Sequence, residues 1–236
     1  TRCALIMSKK MALITIVIAS LNSEKYLKEA LTSISNQTFQ DFEILLVDGG
    51  STDNTLSIAH TFPNLRVIPQ VSKGLFGAWN EGILASKNQL ITFLDSDDYW
   101  STNCLQEHVN QFNLDNNLLC SIGKVKFFLD SETLVPPKPF KLSLLEEDHV
   151  AYMPGCFLGK HSLFTTLGLF DETLTITSDI AWFARLKQTI EKIVILDNTV
   201  LYKRVHSANL SYTPAKASTY QSELLKLLNK SIYSRK

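Results

Sequence analysis

The chain has 236 residues, of which 45% are hydrophobic, and it carries 23 basic and 23 acidic side chains. A chain of this size can bury a large core, either as one large domain or as two small ones. Zero formal net charge gives no electrostatic reason to expect a nucleic acid as a partner. The four cysteines form no Cys-x-x-Cys pair, which argues against a zinc site and fits a reducing compartment.

The beginning of the chain has some features of a short signal peptide, because Lys9 and Lys10 precede an apolar run. That run is rich in Ile, Val and Thr and leads into a helix-start signal, so we interpret it as the first strand, and residues 1–7 as a tail. No apolar run approaches the ~18 residues that a membrane span requires. We therefore expect a soluble, cytoplasmic protein, with possible peripheral contact at the inner face of a membrane through the basic C-terminal end.

The first half of the chain alternates strands with helices. Apolar, β-branched runs predict four strands, at 13–19, 42–47, 65–68 and 90–94. Helical patterns follow the first two of these strands, and a further helix is predicted at 77–85. This alternation requires right-handed βαβ units and a mostly parallel sheet. Ligands of such sheets bind beyond the carboxyl ends of the strands, where Asn22, Asp48 and Asp95 stand.

The second half has a mixed pattern. We predict, in chain order, a helix around 105–112, a strand at 119–129, a proline-containing loop, a short helix at 162–167, a helix from Asp179, two strands at 193–196 and 200–205, and a last helix from about 215 to 230. No internal repeat or linker divides the chain, so we expect one domain over residues 1–236.

Three carboxylates follow the fourth strand within four positions, at Asp95, Asp97 and Asp98. Clustered carboxylates repel one another unless a cation or hydrogen bonds neutralise them. Asp95 and Asp97 are two residues apart, so in an extended backbone both can face one hard divalent cation. The alternative is that Asp97 or Asp98 caps a helix that begins near Ser101, which explains one aspartate but not three.

Six motifs together resemble glycosyltransferase family 2. In chain order they are 17–22 (VIASLN), 47–55 (VDGGSTDNT), 93–98 (FLDSDD), 168–172 (GLFDE), 178–179 (SD) and 204–209 (RVHSAN). The resemblance implies an α/β GT-A fold, with a Rossmann-like, mostly parallel sheet flanked by helices and a smaller mixed acceptor-side region. It divides the chain into a nucleotide-sugar-binding half at 11–100, an acceptor-side half at 101–210, and a C-terminal helix and tail at 211–236.

The same resemblance implies transfer of a sugar, with inversion, from a nucleotide diphosphate sugar to an acceptor hydroxyl, with Mg²⁺ or Mn²⁺ as cofactor. We take the donor to be a UDP-sugar and the acceptor to be a glycan or lipid-linked glycan, in surface polysaccharide or glycolipid assembly. Asp179 is then the catalytic base, Asp97 a metal ligand and His206 a third metal ligand or a diphosphate contact. The implied nucleotide-sugar-binding residues are Ala19, Ser20, Asn22, Glu24, Asp48, Lys73, Gly74, Asn80, Asp95 and Ser96.

Physical reasons for two of these roles hold without the family. A departing nucleoside diphosphate gains negative charge that a divalent ion stabilises. An acceptor hydroxyl is a poor nucleophile at neutral pH, so a positioned carboxylate must take its proton. For Asp179 the alternative role of a helix N-cap stays open, as does a plain polar loop for Lys73. The tryptophans Trp79, Trp100 and Trp182 are better explained by packing than by ligand contact.

Departures from the family pattern limit what the sequence says about the donor. Leu21 replaces an aromatic residue that often flanks the base, Gly49 replaces a common second acidic residue, and Trp79 replaces an arginine. Two other functions stay open, namely a non-catalytic binder of nucleotide sugars or glycans on the same scaffold, and a sugar nucleotidyltransferase. A dinucleotide-binding domain is excluded because no glycine follows the first strand.

Overall fold

The computed structural model describes residues 14–133, 135–137, 140–209 and 214–233, with side chains in the last helix described for 218–227. The expected tail at residues 1–7 lies outside this part of the chain. The elements of the first half, in order, are β1 (Ile14–Ser20), α1 (Leu27–Ser35), β2 (Phe42–Asp48), α2 (Thr55–Ala59), β3 (Leu65–Pro69), α3 (Gly74–Ala85) and β4 (Leu90–Phe93). All four predicted strands are present, within one residue at each described end.

The second half contains more elements than its sequence pattern predicts. They are β5 (Tyr99–Trp100), α4 (Cys104–Leu114), β6 (Cys120–Leu129), β7 (His149–Val150), β8 (Phe157–Lys160), α5 (Ser162–Leu167), α6 (Ser178–Thr189), β9 (Val194–Val205) and α7 (Pro214–Tyr233), with 3₁₀ turns at Leu142–Leu145 and Pro154–Cys156. The prediction missed three short strands, β5, β7 and β8, because two to four residues are too few to show a period.

The predicted pair of strands at the end of the acceptor-side half is wrong, since β9 is one strand of 12 residues. It pairs with β6 in parallel, and the register shifts between Ile122 and Val125. Near this irregularity Asp197 and Asn198 are exposed. Two polar residues in the middle of the run made it look like two strands.

One nine-stranded sheet runs through both halves of the chain, in the order β3-β2-β1-β4-β8-β6-β9-β5, with β7 added to β6. The first four strands in this order are parallel to one another, as are β6 and β9. The remaining pairs are antiparallel. The prediction of a mostly parallel α/β sheet with a mixed second region is confirmed.

Helices cover both faces of the sheet, which explains why its first strands are apolar without interruption. Along β1, Ile14, Ile16 and Ile18 belong to a core shared with α1, α2 and α4. Val17 points to the other face, where it packs with α3, α5 and α6. Trp79 and Trp182 lie in this second core and Trp100 lies in the first, so packing explains all three. Among the described residues, no helix is long and apolar enough to cross a membrane.

Candidate active site

The loops after β1 and β2 interlock at the carboxyl edge of the sheet. Asn22 has a positive φ of 50°, a conformation that asparagine tolerates better than most residues. Its Oδ1 accepts a hydrogen bond from the Thr52 backbone amide at 2.9 Å. Glu24 Oε2 likewise accepts from the Asn54 amide at 3.0 Å. Asn22 and Glu24 therefore use these oxygens to join the two loops.

Asp48 ends β2 and is buried. Its Oδ2 accepts from the backbone amides of Gly50 and Ser51 at 3.0 and 2.9 Å, and its Oδ1 accepts from the Ser51 hydroxyl at 2.5 Å. The carboxylate thus shapes the turn between β2 and α2. The predicted contact with a nucleobase would have to use the remaining lone pairs.

The other predicted nucleotide-binding residues differ in their burial and in whether protein partners already occupy their polar groups. Ser20 is buried and its hydroxyl has no partner among the described residues, whereas Ser96 Oγ lies 2.9 Å from Ser23 Oγ. Lys73 is exposed immediately before α3, and Gly74 begins that helix with a φ of +77°, which favours glycine. Ala19 is half-buried at the end of β1.

Asn80 on α3 is buried and its amide is used by protein partners. Its Nδ2 donates to the Phe170 carbonyl at 2.9 Å and to Glu172 Oε1 at 2.8 Å. Its Oδ1 accepts from the Phe170 amide at 3.0 Å. Asn80 therefore anchors the 168–172 loop to α3, which leaves it little capacity to bind a nucleotide.

Three carboxylate oxygens, one each from Asp95, Asp97 and Asp98, lie within 4.8 Å of one another at the end of β4. The ammonium group of Lys203 on β9 neutralises part of this charge, at 3.0 Å from Asp95 and 2.8 Å from Asp98. Burial alone would lower the pKa of Lys203, but the three aspartates hold it well above its ordinary value. Lys203 is therefore a permanent cation beside the cluster.

The helix-cap explanation of this cluster is wrong. The nearest helix begins at Cys104, after Asn103, and no side chain caps it. Asp98 instead accepts from the Arg204 backbone amide at 2.8 Å through Oδ1. It is almost completely buried, and burial raises its pKa to about 8 against the opposing effect of Lys203.

Asp97 receives two hydrogen bonds from the 204–209 motif. His206 Nε2 lies 2.9 Å and Asn209 Nδ2 lies 3.2 Å from Asp97 Oδ2. The Ala208 amide donates to His206 Nδ1 at 3.3 Å, so Nε2 carries the proton that is donated to Asp97. Burial would raise the pKa of Asp97, but His206 and Lys203 hold it below its ordinary value. In this arrangement His206 orients Asp97, and its predicted role as a metal ligand stays a prediction.

Arg204 fixes the same loop from the other side. Its Nε donates to the Asp97 carbonyl at 3.0 Å, and its guanidinium pairs with Asp130 at 3.1 Å and with Glu29 at 2.5 Å. The guanidinium also lies over the Tyr26 ring, 4.6 Å from its centroid. The buried arginine thereby holds the backbone of the carboxylate loop in one conformation.

Asp179 is the second residue of α6 and is partly buried. The N-cap position belongs to Thr177, so Asp179 is not the cap residue, although its Oδ1 accepts from the adjacent Ile180 amide at 2.8 Å. Burial raises the pKa of Asp179 to about 6, and the charge of Asp95 acts in the same direction. Because the charge of Asp95 affects the pKa of Asp179, Asp179 lies within electrostatic reach of the carboxylate cluster. A carboxylate with a pKa of about 6 is ionised at neutral pH and is suited to accept a proton there.

The donor set at the end of β4 fits a hard divalent cation. Carboxylate oxygens are the ligands that Mg²⁺ and Mn²⁺ prefer, and Asp95, Asp97 and Asp98 supply them within a short distance. Lys203 offsets only one of the negative charges of the cluster, so a cation still gains electrostatic energy there.

Sequence reasoning overlooked Lys203 and Asn209 as parts of this site and assigned Asp98 no role of its own. The sequence did carry a signal for Lys203, because a lysine inside an apolar strand is rarely buried without a partner. Asp98 was placed in the carboxylate cluster, with a helix cap as its alternative role. Asn209 lay inside a motif already identified, but only the fold shows that its amide meets Asp97.

Comparisons with known proteins identify the family of the chain. Residues 15–178, more than half of the chain, match the family model of Glycosyl transferase family 2. The uncharacterised glycosyltransferase EpsJ of Bacillus subtilis is 30% identical over 224 residues, covering 86% of this chain and 64% of EpsJ. The poly(ribitol-phosphate) beta-glucosyltransferase of Bacillus spizizenii is 30% identical over 213 residues, covering 77% of this chain and 33% of that protein. The chain thus spans less than two thirds of the length of these relatives.

Solved structures show the same fold. TarS 1-349 from S. aureus, in complex with UDP-GlcNAc, has a TM-score of 0.67 at 22% identity, over 83% of this chain and 59% of that one. The mannosyltransferase PcManGT from Pyrobaculum calidifontis, in complex with GDP-Man and Mn²⁺, has a TM-score of 0.67 at 18% identity, over 95% of this chain and 65% of that one. These likenesses confirm the predicted GT-A architecture. The match over residues 15–178 shows that the chain belongs to glycosyltransferase family 2.

Proposed function

We propose that this chain transfers a sugar from a nucleotide diphosphate sugar, of which a UDP-sugar is our first choice, to an acceptor hydroxyl with inversion at the sugar. The observation that carries the proposal is the cluster of Asp95, Asp97 and Asp98 at the end of β4, with Asp179 in electrostatic reach. A metal site beside a carboxylate of raised pKa matches what this reaction needs. The relatives' names and their ligands support the class of donor.

The acceptor hydroxyl attacks the anomeric carbon in this scheme, and the bond from that carbon to the diphosphate oxygen breaks. Asp179 accepts the proton of the hydroxyl. Because the hydroxyl displaces the diphosphate directly, no covalent sugar–enzyme intermediate is required. The three aspartates at the end of β4 would hold Mg²⁺ or Mn²⁺, which supplies positive charge against the departing diphosphate. His206 and Asn209 orient Asp97 for this task.

The acceptor and the place of action in the cell are part of the same proposal. We infer a glycan or lipid-linked glycan acceptor in surface polysaccharide or glycolipid assembly, and a cytoplasmic place of action at the inner face of a membrane. One support is the relative from Bacillus spizizenii, which is named for glucosyl transfer to poly(ribitol phosphate). The basic residues near the C-terminal end are a second support for contact with anionic lipid.

Nucleotide binding tests the donor site directly. Calorimetry with UDP, GDP and dTDP, with and without Mn²⁺, is expected to show metal-dependent binding of one nucleotide by the wild type. Asp97→Asn is expected to weaken that binding by tenfold or more, since even indirect partners of a metal are worth about 10–100-fold in affinity. Asp197→Asn is the matched control, because Asp197 is exposed on β9. Equal binding by the wild type and Asp97→Asn, or no metal dependence, would overturn the assignment.

Turnover tests whether the protein is an enzyme or a binder. Asp179→Asn is expected to keep wild-type affinity for the nucleotide and to lose turnover by about 10²–10⁴-fold, the usual contribution of a positioned base. Nucleotide binding without release of nucleotide from any donor sugar would favour the non-catalytic binder. Release of pyrophosphate instead, from a nucleoside triphosphate and a sugar phosphate, would indicate a nucleotidyltransferase.

A further inference from the structure

The C-terminal helix α7 returns to the segment that precedes Asp179. Glu223 on α7 is buried, with 5% of its surface exposed. Its Oε1 accepts from the Thr175 amide at 2.6 Å, and its Oε2 accepts from the amides of Ile176 and Thr177, each at 3.1 Å. The Thr177 hydroxyl donates to the same Oε2 at 2.9 Å. One carboxylate therefore receives four hydrogen bonds from three consecutive residues.

A buried carboxylate is costly unless hydrogen bonds compensate the loss of water. Burial would raise the pKa of Glu223, but the donors of residues 175–177 hold it below its ordinary value. Glu223 is therefore a buried anion in this fold, and its interaction with the amides is charge-assisted and stronger than a neutral hydrogen bond. The charge also lies at the N-terminal end of α6, where the helix dipole favours it.

The residues that Glu223 holds lead directly into the base. Thr177 precedes α6, and its carbonyl accepts the first helical hydrogen bond from Ala181 at 3.0 Å. Asp179 follows two positions after Thr177. Further along α6, Trp182 Nε1 donates to the Gly168 carbonyl at 2.9 Å, and Arg185 donates to the carbonyls of the same loop. The helix is thus anchored at its middle by the 167–169 loop and at its N-terminal end by Glu223.

We propose that Glu223 is a positioning residue for Asp179, because its four hydrogen bonds fix the segment from which Asp179 projects toward the carboxylate cluster. This inference rests on the proposed function, in which Asp179 is the base. Glu223, like Asp179, lies beyond the residues that match the family model, which end at 178. The last helix of this chain thereby supports the segment that carries the proposed base.

The test uses Glu223→Ala, Glu223→Gln and the control Ser222→Ala. Ser222 is exposed on the same helix, where its hydroxyl bonds only to the Thr219 carbonyl among the described residues. Turnover is measured as nucleotide release from whichever of UDP-glucose, UDP-GlcNAc and GDP-mannose the wild type uses fastest. Amide hydrogen exchange of residues 175–179 and UDP binding with Mn²⁺ are measured in parallel.

Glu223→Ala is expected to lower kcat by about 10–100-fold, since misplacement by an ångström can cost 10²-fold. The donor KM and the UDP affinity are expected to stay within twofold, while the amides of 175–179 exchange faster. Glu223→Gln should restore part of kcat, because its amide oxygen can accept some of the same donors. Ser222→Ala should match the wild type in every measurement.

Wild-type kcat in Glu223→Ala, together with faster exchange at 175–179, would show that Glu223 only tethers α7 and would overturn the inference. A parallel loss of UDP binding would also overturn it, since the effect would then be a general disruption. Should Glu223→Ala fail to fold, Thr177→Val removes one of the four bonds and takes its place, with the same outcomes. The proposed function fails separately, if Asp179→Asn retains turnover or if the wild type turns over no donor.

Discussion

Charge at the end of β4 is balanced by residues that are far apart in sequence. Lys203 lies between Asp95 and Asp98, at 3.0 and 2.8 Å, while His206 and Asn209 donate to Asp97. Each of these residues comes from the end of β9 or the loop after it, more than 100 positions away from its aspartate. β9 and the loop after it therefore supply the groups that offset the repulsion among the three clustered carboxylates.

The raised pKa of Asp179 gives a pH dependence with a definite sign. A base acts in its ionised form, and burial raises the pKa of Asp179 to about 6. Turnover is therefore expected to be constant above pH 7 and to fall about tenfold per pH unit well below pH 6. The measurement is kcat at saturating donor between pH 4.5 and 8, with UDP binding at each pH as the control for the donor site. A flat profile down to pH 4.5 would show that Asp179 is not the base.

His108 on α4 gives a stability prediction of the same kind. It is buried, its Nδ1 lies 2.7 Å from the Ser121 hydroxyl, and burial lowers its pKa to about 3. In the unfolded chain the His108 imidazole takes up a proton near pH 6.5, whereas in the folded chain it stays neutral until much lower pH. The free energy of unfolding therefore decreases as pH falls below about 6.5. From pH 7 to pH 5 this residue should cost about 2 kcal/mol.

Urea unfolding of the wild type and of His108→Gln at both pH values isolates that contribution. Other groups titrate in both proteins, so the relevant quantity is the difference between the two losses. We expect the wild type to lose about 2 kcal/mol more than the variant between pH 7 and pH 5. Equal losses would mean that His108 can be protonated in the folded state.

Among the elements, α3 and β1 pack closely enough to require a glycine. A Cβ on Gly82 would lie 2.3 Å from Val17 Cγ1, a distance at which side chain or backbone must move. This close contact lies between α3 and the strand that leads into the proposed donor site. Glycine weakens a helix by about 1 kcal/mol relative to alanine, so its presence here reflects packing between the elements.

We expect Gly82→Ala to lower the free energy of unfolding by about 1–3 kcal/mol, because overpacking outweighs the gain in helix propensity. Leu84→Ala on the same helix is the control, since Leu84 is 71% exposed, and it should stay within about 0.5 kcal/mol of the wild type. Urea denaturation at neutral pH measures both. A stabilised Gly82→Ala protein would mean that α3 can shift away from β1 without cost.

At the scale of the whole molecule, one sheet joins the two halves that the sequence suggested. The parallel strands β1 to β4 continue through the antiparallel β8 into β6 and β9. Arg204 at the end of β9 links Glu29 on α1, Asp130 after β6 and the carbonyl of Asp97. The carboxylate loop of the first half is therefore completed by the second half. The predicted boundary at residue 100 falls within a continuous sheet, and the division of roles between the two halves stays a prediction.

Local sequence patterns alone predict the first four strands, the alternation with helices and the positions of Asp48, Asp95, Asp97 and Asp179. These features are local, since strand patterns and strand-end carboxylates are encoded within short windows. The six motifs also predicted the family, which the match over residues 15–178 confirms.

Which residues meet these carboxylates depends on how distant segments of the chain fold together. Lys203 and Asn209 approach the aspartates because β9 pairs with β5, which directly follows Asp98, and Glu223 reaches residues 175–177 because α7 folds back onto them. Short strands such as β8 also depend on neighbours for their hydrogen bonds, since four residues carry no pattern of their own. Contacts between distant segments are set by strand order and helix docking, and no local pattern encodes them.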